Sequence, residues 1–486
     1  MNTNISALEP KEIWVNFAKL VSIPRPSKKE EKIIAYMKKF GEDLGLETII
    51  DKVGNVIIKK PATPGMEDKM TVVLQGHLDI VPQKNRDKKH DFATDPITAY
   101  IDGEWVTADG TTLGADNGMG VAAAMGVLQA TNLKHPAIEA LFTIDEETGM
   151  TGAFNLEPNI LDGDILINMD SEDEGELYVG CAGGTDANIE FEYKSDSVPE
   201  DYTPYKITLV GMKGGHSGLD INSGKGNAIK VIFRFLFEAR KNFGLKLANI
   251  EGGNMRNAIP REAFATVVVP NDKTADFEKA VKDYECTVKK ELSEVEPTLS
   301  FSVEKTEKPC CLIEEKIQNQ LIDAIYATPN GVMRYSDSMP GLVETSTNLS
   351  IVKSEKGKIN INALIRSSVD SAKTDIENMF ESVYNLTDSK LWFNGQYPGW
   401  KPNMNSAILK TMQKVYDDNF GKVPEIKAIH AGLECGLLGG IYPNWDMISF
   451  GPTIRFPHSP DEKVKIDTVK MFWDFLVKTL ENIPAK

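Results

Sequence analysis

Five short stretches carry residues of the kinds that bind metals or move protons: GHLD (76–79), TTLGADNG (111–118), IDEETG (144–149), INMDSED (167–173) and RFPHSPDE (455–462). The first follows MTVVL (70–74), which reads as a buried strand. Side chains two apart on a strand share a face, so His77 and Asp79 stand side by side. Such a pair either closes off a core strand or makes a metal-binding imidazole whose tautomer and basicity are set by the carboxylate behind it. Taken singly, the other residues have plain structural uses. Asp116 can cap the helix after it, Glu146 and Glu147 can face solvent, Asp170 opens the acidic run DSEDEGE, and His458 stands in a loop flanked by prolines. As a set they carry more. Two imidazoles, His77 and His458, and three carboxylates, from Asp116, Asp170 and the Glu146–Glu147 pair, supply three ligands to each of two divalent ions if one carboxylate is shared. Positions then stay open for water, as catalytic zinc sites require. Two ions about 3.5–4 Å apart make a hydroxide nucleophile near neutral pH and clamp a developing oxyanion. Of two consecutive glutamates, one can bind metal while the other remains as general base over the bridging water.

These residues must be held at the ends of strands, because ligands of open α/β sheets bind beyond the strands' carboxyl ends. The first 185 residues alternate accordingly. Helical periodicity runs over 11–20 and 28–44, apolar strand-like runs over 53–58, 72–74, 138–144 and 165–169, and a small-residue helix over 118–131. This predicts a mostly parallel sheet flanked by helices. From about Asp186 the texture changes to alternating strands (187–193, 205–210, 263–269, 299–303, 359–367) with helices over 226–241, 273–292 and 314–328. After Trp392 the first texture returns, with a helix over 406–419, a strand over 425–429 and a helix over 467–481. The expected architecture is an α/β domain over 1–185 and 391–486 with an α+β domain, 186–390, inserted in it.

Composition narrows the function. At 486 residues more than one domain is expected. A hydrophobic fraction of 41% and a charged fraction of 26% are those of a globular protein. The net charge of −17 argues against nucleic acid and anionic membranes as partners, since both need a basic footprint. Neither a secretory signal nor an apolar run of membrane-spanning length is expected. Five cysteines without C-x-x-C spacing fit reduced thiols in a cytoplasmic protein.

The ordered set of motifs resembles the dinuclear-zinc peptidase family that includes glutamate carboxypeptidase, acetylornithine deacetylase and peptidase T, over nearly the whole chain. Within it, the segments HDFATDPITAYIDGEWVTADGTTLGADNG (90–118), GMKGGHSGLDI (211–221) and HAGLECG (430–436) are similar to the aminoacyl-histidine dipeptidase (carnosinase-like) group. The resemblance implies that His77 and Asp170 bind one zinc, Glu147 and His458 the other, and Asp116 both. Asp79 would orient His77, and Glu146 would be the base that deprotonates the bridging water and passes the proton to the leaving amine. A cis peptide at Asp116–Asn117 is implied as well. The inserted domain would be a lid and dimerisation domain, with His216 on the scissile carbonyl oxygen, in its own or the partner's site. Asn257 and Arg366 would bind the substrate's carbonyl and terminal carboxylate. His430 and Glu434 would line the pocket, Glu434 offering a carboxylate to an amino group.

The expectation is a homodimeric metallopeptidase cleaving Xaa-His and other unblocked dipeptides, with two divalent ions, zinc foremost and cobalt or manganese also fitting such ligands. A tripeptidase, carboxypeptidase or N-acyl amino acid deacylase would use the same chemistry with a different pocket. A non-catalytic binding protein on a degenerate hydrolase fold is the reading from another class.

Overall fold

The computed structural model describes residues 3–486 and divides into two compact units. The first runs to Gly180 and resumes over Trp400–Ala428 and Leu433–Lys486; the second comprises Cys181–Gly399 and Ile429–Gly432.

The first unit is built on an eight-stranded mixed sheet, in the order Glu47–Ile50, Val56–Lys60, Ile138–Thr143, Val72–His77, Ile165–Asn168, Asp446–Ser449, Glu176–Cys181 and Glu425–Ile429. The four strands from Ile138–Thr143 to Asp446–Ser449 are mutually parallel, while Glu47–Ile50 with Val56–Lys60, Val56–Lys60 with Ile138–Thr143, and Asp446–Ser449 with Glu176–Cys181 pair antiparallel. Strands Val72–His77, Ile138–Thr143 and Ile165–Asn168 are buried throughout, as expected where both faces are covered. Helix Lys11–Val21 buries Ile13, Trp14, Phe17, Leu20 and Val21, one face at helical spacing. It packs on helix Ala115–Gln129, whose small residues are buried on all sides. Helix Glu31–Asp43 begins three residues later than its periodicity suggests, because Lys28 has a left-handed backbone (φ 66°) that a helix cannot include. Parallel strands put their carboxyl ends on one side, so the segments after His77, Thr143, Asn168 and Ser449 emerge together.

The second unit holds a nine-stranded antiparallel sheet. Its main path runs Ser300–Lys305, Tyr202–Val210, Ala263–Pro270, Lys246–Gly252, Val343–Glu355, Lys358–Ser367, Gly183–Glu192 and Lys390–Tyr397, and Gly331–Tyr335 pairs with Val343–Glu355. Helices Ala228–Phe243, Thr274–Glu291, Glu315–Ala327 and Asp370–Tyr384 complete its core, which includes Phe191, Phe233, Phe277, Phe301 and Phe380. The texture of the sequence puts this region at 186–390, whereas the compact unit runs from Cys181 to Gly399. The largest part of the difference is edge strand Lys390–Tyr397, most of whose side chains face solvent. Strand Val343–Glu355 is silent in the sequence for another reason: its buried residues include Thr345, Ser346, Thr347, Asn348 and Ser350. No helix among the described residues is long and apolar enough to cross a membrane.

Candidate active site

His77 is the last residue of the strand Val72–His77 and is 1% exposed. Its Nε2 lies 3.0 Å from Asp116 Oδ1 and 3.4 Å from Asp170 Oδ1. His458 Nε2 lies 3.1 Å from the other oxygen of Asp116, Oδ2, and 3.0 Å from Glu147 Oε2. Asp116 therefore stands between the two imidazoles, one carboxylate oxygen toward each. Within each trio, His77–Asp116–Asp170 and Asp116–Glu147–His458, the ligand atoms lie within 4.8 Å of one another. The peptide Asp116–Asn117 is cis. The Asn117 side chain donates to Met169 O at 2.7 Å and Asp170 Oδ1 at 2.5 Å, tying two of the carboxylate segments together.

Behind His77, Asp79 is wholly buried, its Oδ1 3.4 Å from Nδ1. This is an ion-pair contact and not a short hydrogen bond; the hydrogen bonds of Asp79 go elsewhere. It accepts the amides of Glu146 (3.0 Å) and Glu147 (3.2 Å) and the Ser27 hydroxyl (2.8 Å). The glutamates open the single-turn helix Glu146–Gly149, preceded by Asp145 in the left-handed region (φ 52°). The Asp145 carboxylate accepts the hydroxyls of Thr148 and Thr151, which pins this turn. An oxygen of Glu146 falls within 4.8 Å of ligand atoms of both His77 and Glu147.

The electrostatics are those of carboxylates gathered for a cation. Burial, opposed by His77 but reinforced by Asp116, pushes Asp170 up to about 7. Burial together with Asp170, Glu434 and Glu147 holds Glu146 well above the usual range, against the pull of His77. Burial works against charge on His77, yet Asp170, Asp116 and Asp79 together keep its proton affinity well above that of a free imidazole. Hydrogen bonds to Asp116 and Glu147 push His458 up to about 11. For Asp79 burial acts upward, but His77, the Glu146 amide and Ser27 bring it down to about 2. Clustered buried carboxylates that repel one another, faced by imidazole nitrogens, form a donor set of N and O ligands that suits divalent transition ions.

Several supporting residues escape the sequence reading. Glu462, 2% exposed, accepts four consecutive amides, and the guanidinium of Arg25, 1% exposed, donates to three backbone carbonyls. No local pattern in either segment marks these contacts, which join residues remote in sequence. Glu172 is pushed up to about 8 by burial, Asp116 and Asp170. Glu434 begins helix Glu434–Ile441 and is 1% exposed. Its Oε2 accepts Gln75 Nε2 at 2.6 Å and Thr143 Oγ1 at 2.7 Å, while its buried Oε1 has no hydrogen-bond partner.

The second unit assembles its own polar group. His216 sits in the two-residue strand Gly215–His216, paired with Ala258–Ile259, and Asn257 immediately precedes that partner strand at an exposed position. His216 Nδ1 accepts the amides of Gly218 (3.2 Å) and Leu219 (3.0 Å), which leaves Nε2 as the N–H of a neutral ring. Burial and Arg366 hold His216 below its ordinary value. Arg366, 5% exposed, donates to Tyr397 Oη at 3.1 Å. His430 Nε2 is 2.7 Å from Ser346 Oγ, and burial with Arg366 brings its ring down to about 3, so it is neutral.

Residues 73–482 match peptidase family M20/M25/M40. The chain is 47% identical over 484 residues, 100% of both chains, to the cytosol non-specific dipeptidase of Escherichia coli (strain K12). It is similar to the crystal structure of aminoacylhistidine dipeptidase from Vibrio alginolyticus, with 50% identity, 99% of each chain covered and a TM-score of 0.96. The aminopeptidase PepT from Bacillus cereus, at 16% identity and a TM-score of 0.57 over 98% of this chain, shares the fold.

Proposed function

The chain belongs to peptidase family M20/M25/M40, and from that footing we propose that it is a dipeptidase that hydrolyses Xaa-His and other unblocked dipeptides in the cytoplasm. The observation that carries the reading is Asp116, which offers one oxygen to the His77 side and the other to the His458 side. Divalent metal ions belong to this family's chemistry. We assign two, zinc foremost, to His77, Asp170 and Asp116 and to Glu147, His458 and Asp116. When bound, the ions would supply Lewis acidity to the attacking water and to the scissile carbonyl.

The chain's own residues supply the proton chemistry. Glu146, within 4.8 Å of His77 and Glu147 ligand atoms, takes a proton from the attacking water as its oxygen adds to the carbonyl carbon. It then gives that proton to the amide nitrogen as the C–N bond breaks, releasing an acid and an amine. Burial of Glu146 raises its proton affinity and so suits it to carry the proton between the two steps. Asp79 positions both His77 and the glutamate turn.

Recognition is assigned to five further residues. His216, with Nε2–H available, donates to the scissile carbonyl oxygen, in its own chain's site or in that of the second chain of a homodimer formed through the second unit. Asn257 assists at the carbonyl. Arg366 takes the terminal carboxylate, for which a guanidinium fork is suited, and neutral His430 lines that end. Glu434 Oε1, which lacks a partner, offers a carboxylate oxygen to the substrate ammonium.

The deciding experiment is steady-state hydrolysis of carnosine, Gly-His, Ala-His, a tripeptide and an N-acetyl amino acid by the metal-loaded protein. Dipeptides with free amino termini are expected to be turned over, and the others at least about tenfold less efficiently. A preference for the tripeptide or the N-acetyl compound overturns the dipeptidase reading, and absence of bound divalent metal overturns the metal assignment.

A further inference from the structure

The segment Leu113–Asp116 turns sharply just before the shared aspartate, and its polar groups are held from two sides. On the amide side, Glu462 accepts all four consecutive N–H groups: Leu113 (2.8 Å) and Gly114 (3.0 Å) on Oε2, Ala115 (2.7 Å) and Asp116 (3.2 Å) on Oε1. Successive amides of a turn form a concave anion site, and here a side chain of the same chain fills it. On the carbonyl side, Arg25 Nη2 donates to Gly114 O at 2.7 Å, while Nη1 donates to Leu78 O (2.7 Å) and Asp79 O (3.2 Å). Backbone geometry makes room for this: Gly114 has a left-handed φ of 72°, and a Cβ there would stand 2.9 Å from Arg25 Nη2. A Cβ at Gly118 would approach the same nitrogen to 2.7 Å.

Glu462 lies four residues after His458, in the same loop. The four-amide contact therefore ties the segment carrying His458 to the segment carrying Asp116, whose side chains meet at 3.1 Å. Arg25 ties that same turn to the residues just after His77. We propose that Glu462 is a positioning residue that sets the register of Asp116 against His458, and so selectively controls the metal position formed by Asp116, Glu147 and His458. This rests on the metallopeptidase reading of those three residues. Glu462 touches neither substrate nor metal; it acts through the backbone of the Asp116 turn.

The test is a titration of the metal-free full-length protein with Zn2+ against a chromophoric chelator, repeated with Co2+ and read by its visible absorption. The parent is expected to take up two equivalents. Glu462→Gln replaces two acceptor positions by a donor amide, and Glu462→Asp keeps the charge but shortens the reach. Both variants are expected to bind one equivalent as the parent does and the second about 10–100-fold more weakly, the usual effect of removing a group behind a ligand. In the Co2+ titration only the absorption of the second equivalent should shift. Parent-like binding of both equivalents, or equal weakening of both, overturns the proposal. So does a parent-like Glu462→Asp beside a weakened Glu462→Gln, which would assign the effect to charge and not to position. Loss of the near-ultraviolet circular dichroism of the metal-free protein in both variants also overturns it, since the contact would then hold the domain and not one site. A parent that binds no divalent ion removes the metallopeptidase reading itself, an outcome distinct from all of these.

Discussion

The amide of Glu146 donates to Asp79 Oδ1 at 3.0 Å, on the same carboxylate oxygen that lies 3.4 Å from His77 Nδ1. One buried carboxylate thus sets both the His77 imidazole and the turn that presents the two glutamates. Asp79→Asn cannot accept from every donor around it, because one oxygen becomes an NH2 group. We predict a fall in kcat/KM of about 10–100-fold with weaker metal retention. Ser27→Ala removes a single donor from Oδ2 and should cost less. An Asp79→Asn enzyme as active as the parent, measured on Gly-His at saturating zinc, would remove the positioning role.

Replacing Glu146 by Gln keeps the shape and deletes the carboxylate to which we assign the role of base. The expected loss is about 10²–10⁴-fold in kcat, with KM and the number of bound metal ions unchanged. Metal analysis beside steady-state kinetics separates this from damage to the site. A variant that loses metal in step with activity would make Glu146 a ligand.

Metal removal distinguishes shared from unshared ligands. Dialysis against a chelator should abolish hydrolysis, and added zinc or cobalt should restore it. Because Asp116 contacts both imidazoles, Asp116→Ala is expected to lose both ions, whereas Asp170→Ala should keep one. Equal stoichiometries for the two variants, read by atomic emission, would contradict the shared role.

The pH dependence of metal stabilisation has a definite sign. Asp170, at about 7, and Glu172, at about 8, are raised by burial and neighbouring carboxylates. A carboxyl raised in the folded state binds its proton more tightly there than in the unfolded chain. The metal-free fold therefore loses stability as pH climbs from the ordinary carboxylate range through about 7 to 8. His458, raised to about 11 by Asp116 and Glu147, contributes stability that is complete below the unfolded imidazole value and is lost only as pH rises toward 11. Divalent metal binds the deprotonated forms and releases protons. The gap in Tm between zinc-loaded and metal-free protein should widen as pH rises through neutrality, and calorimetry in buffers of different ionisation enthalpy should register proton release at pH 7. A gap that narrows over that range would contradict the cluster's electrostatics.

Arg366 is a recognition group in the proposed scheme, so its replacement should act mainly on binding. Arg366→Lys keeps the charge but loses the planar fork. KM for a dipeptide is expected to rise about tenfold or more with a smaller change in kcat, and a dipeptide amide should discriminate poorly between parent and variant. An unchanged KM would free Arg366 from the carboxylate assignment.

The polypeptide by itself determined which residue types stand at the strand ends and in what order along the chain. Apolar runs at 72–74, 138–144 and 165–169 locate the strands Val72–His77, Ile138–Thr143 and Ile165–Asn168 to within a few residues, because burial on both faces imprints a local pattern. The polar residues just past those runs stand out against it, which is why His77, Glu146, Glu147 and Asp170 are legible, whereas Asp116 and His458 stand out only as members of the set. Strands with another chemistry are not: Val343–Glu355 buries Thr, Ser and Asn, and Lys390–Tyr397 is an exposed edge.

Only the tertiary structure decided what stands behind those residues. Glu462 reaches amides 346 to 349 positions earlier, and Arg25 reaches carbonyls 53 to 89 positions later. Glu434 turns out to be bound to Gln75 and Thr143 beneath the strand ends. A hydrogen bond between such distant residues leaves no period and no spacing in the chain, since its geometry exists only once the sheet has brought the loops together. The kinds of residue at the site are thus a local property of the sequence, while their registration to one another is a property of the fold.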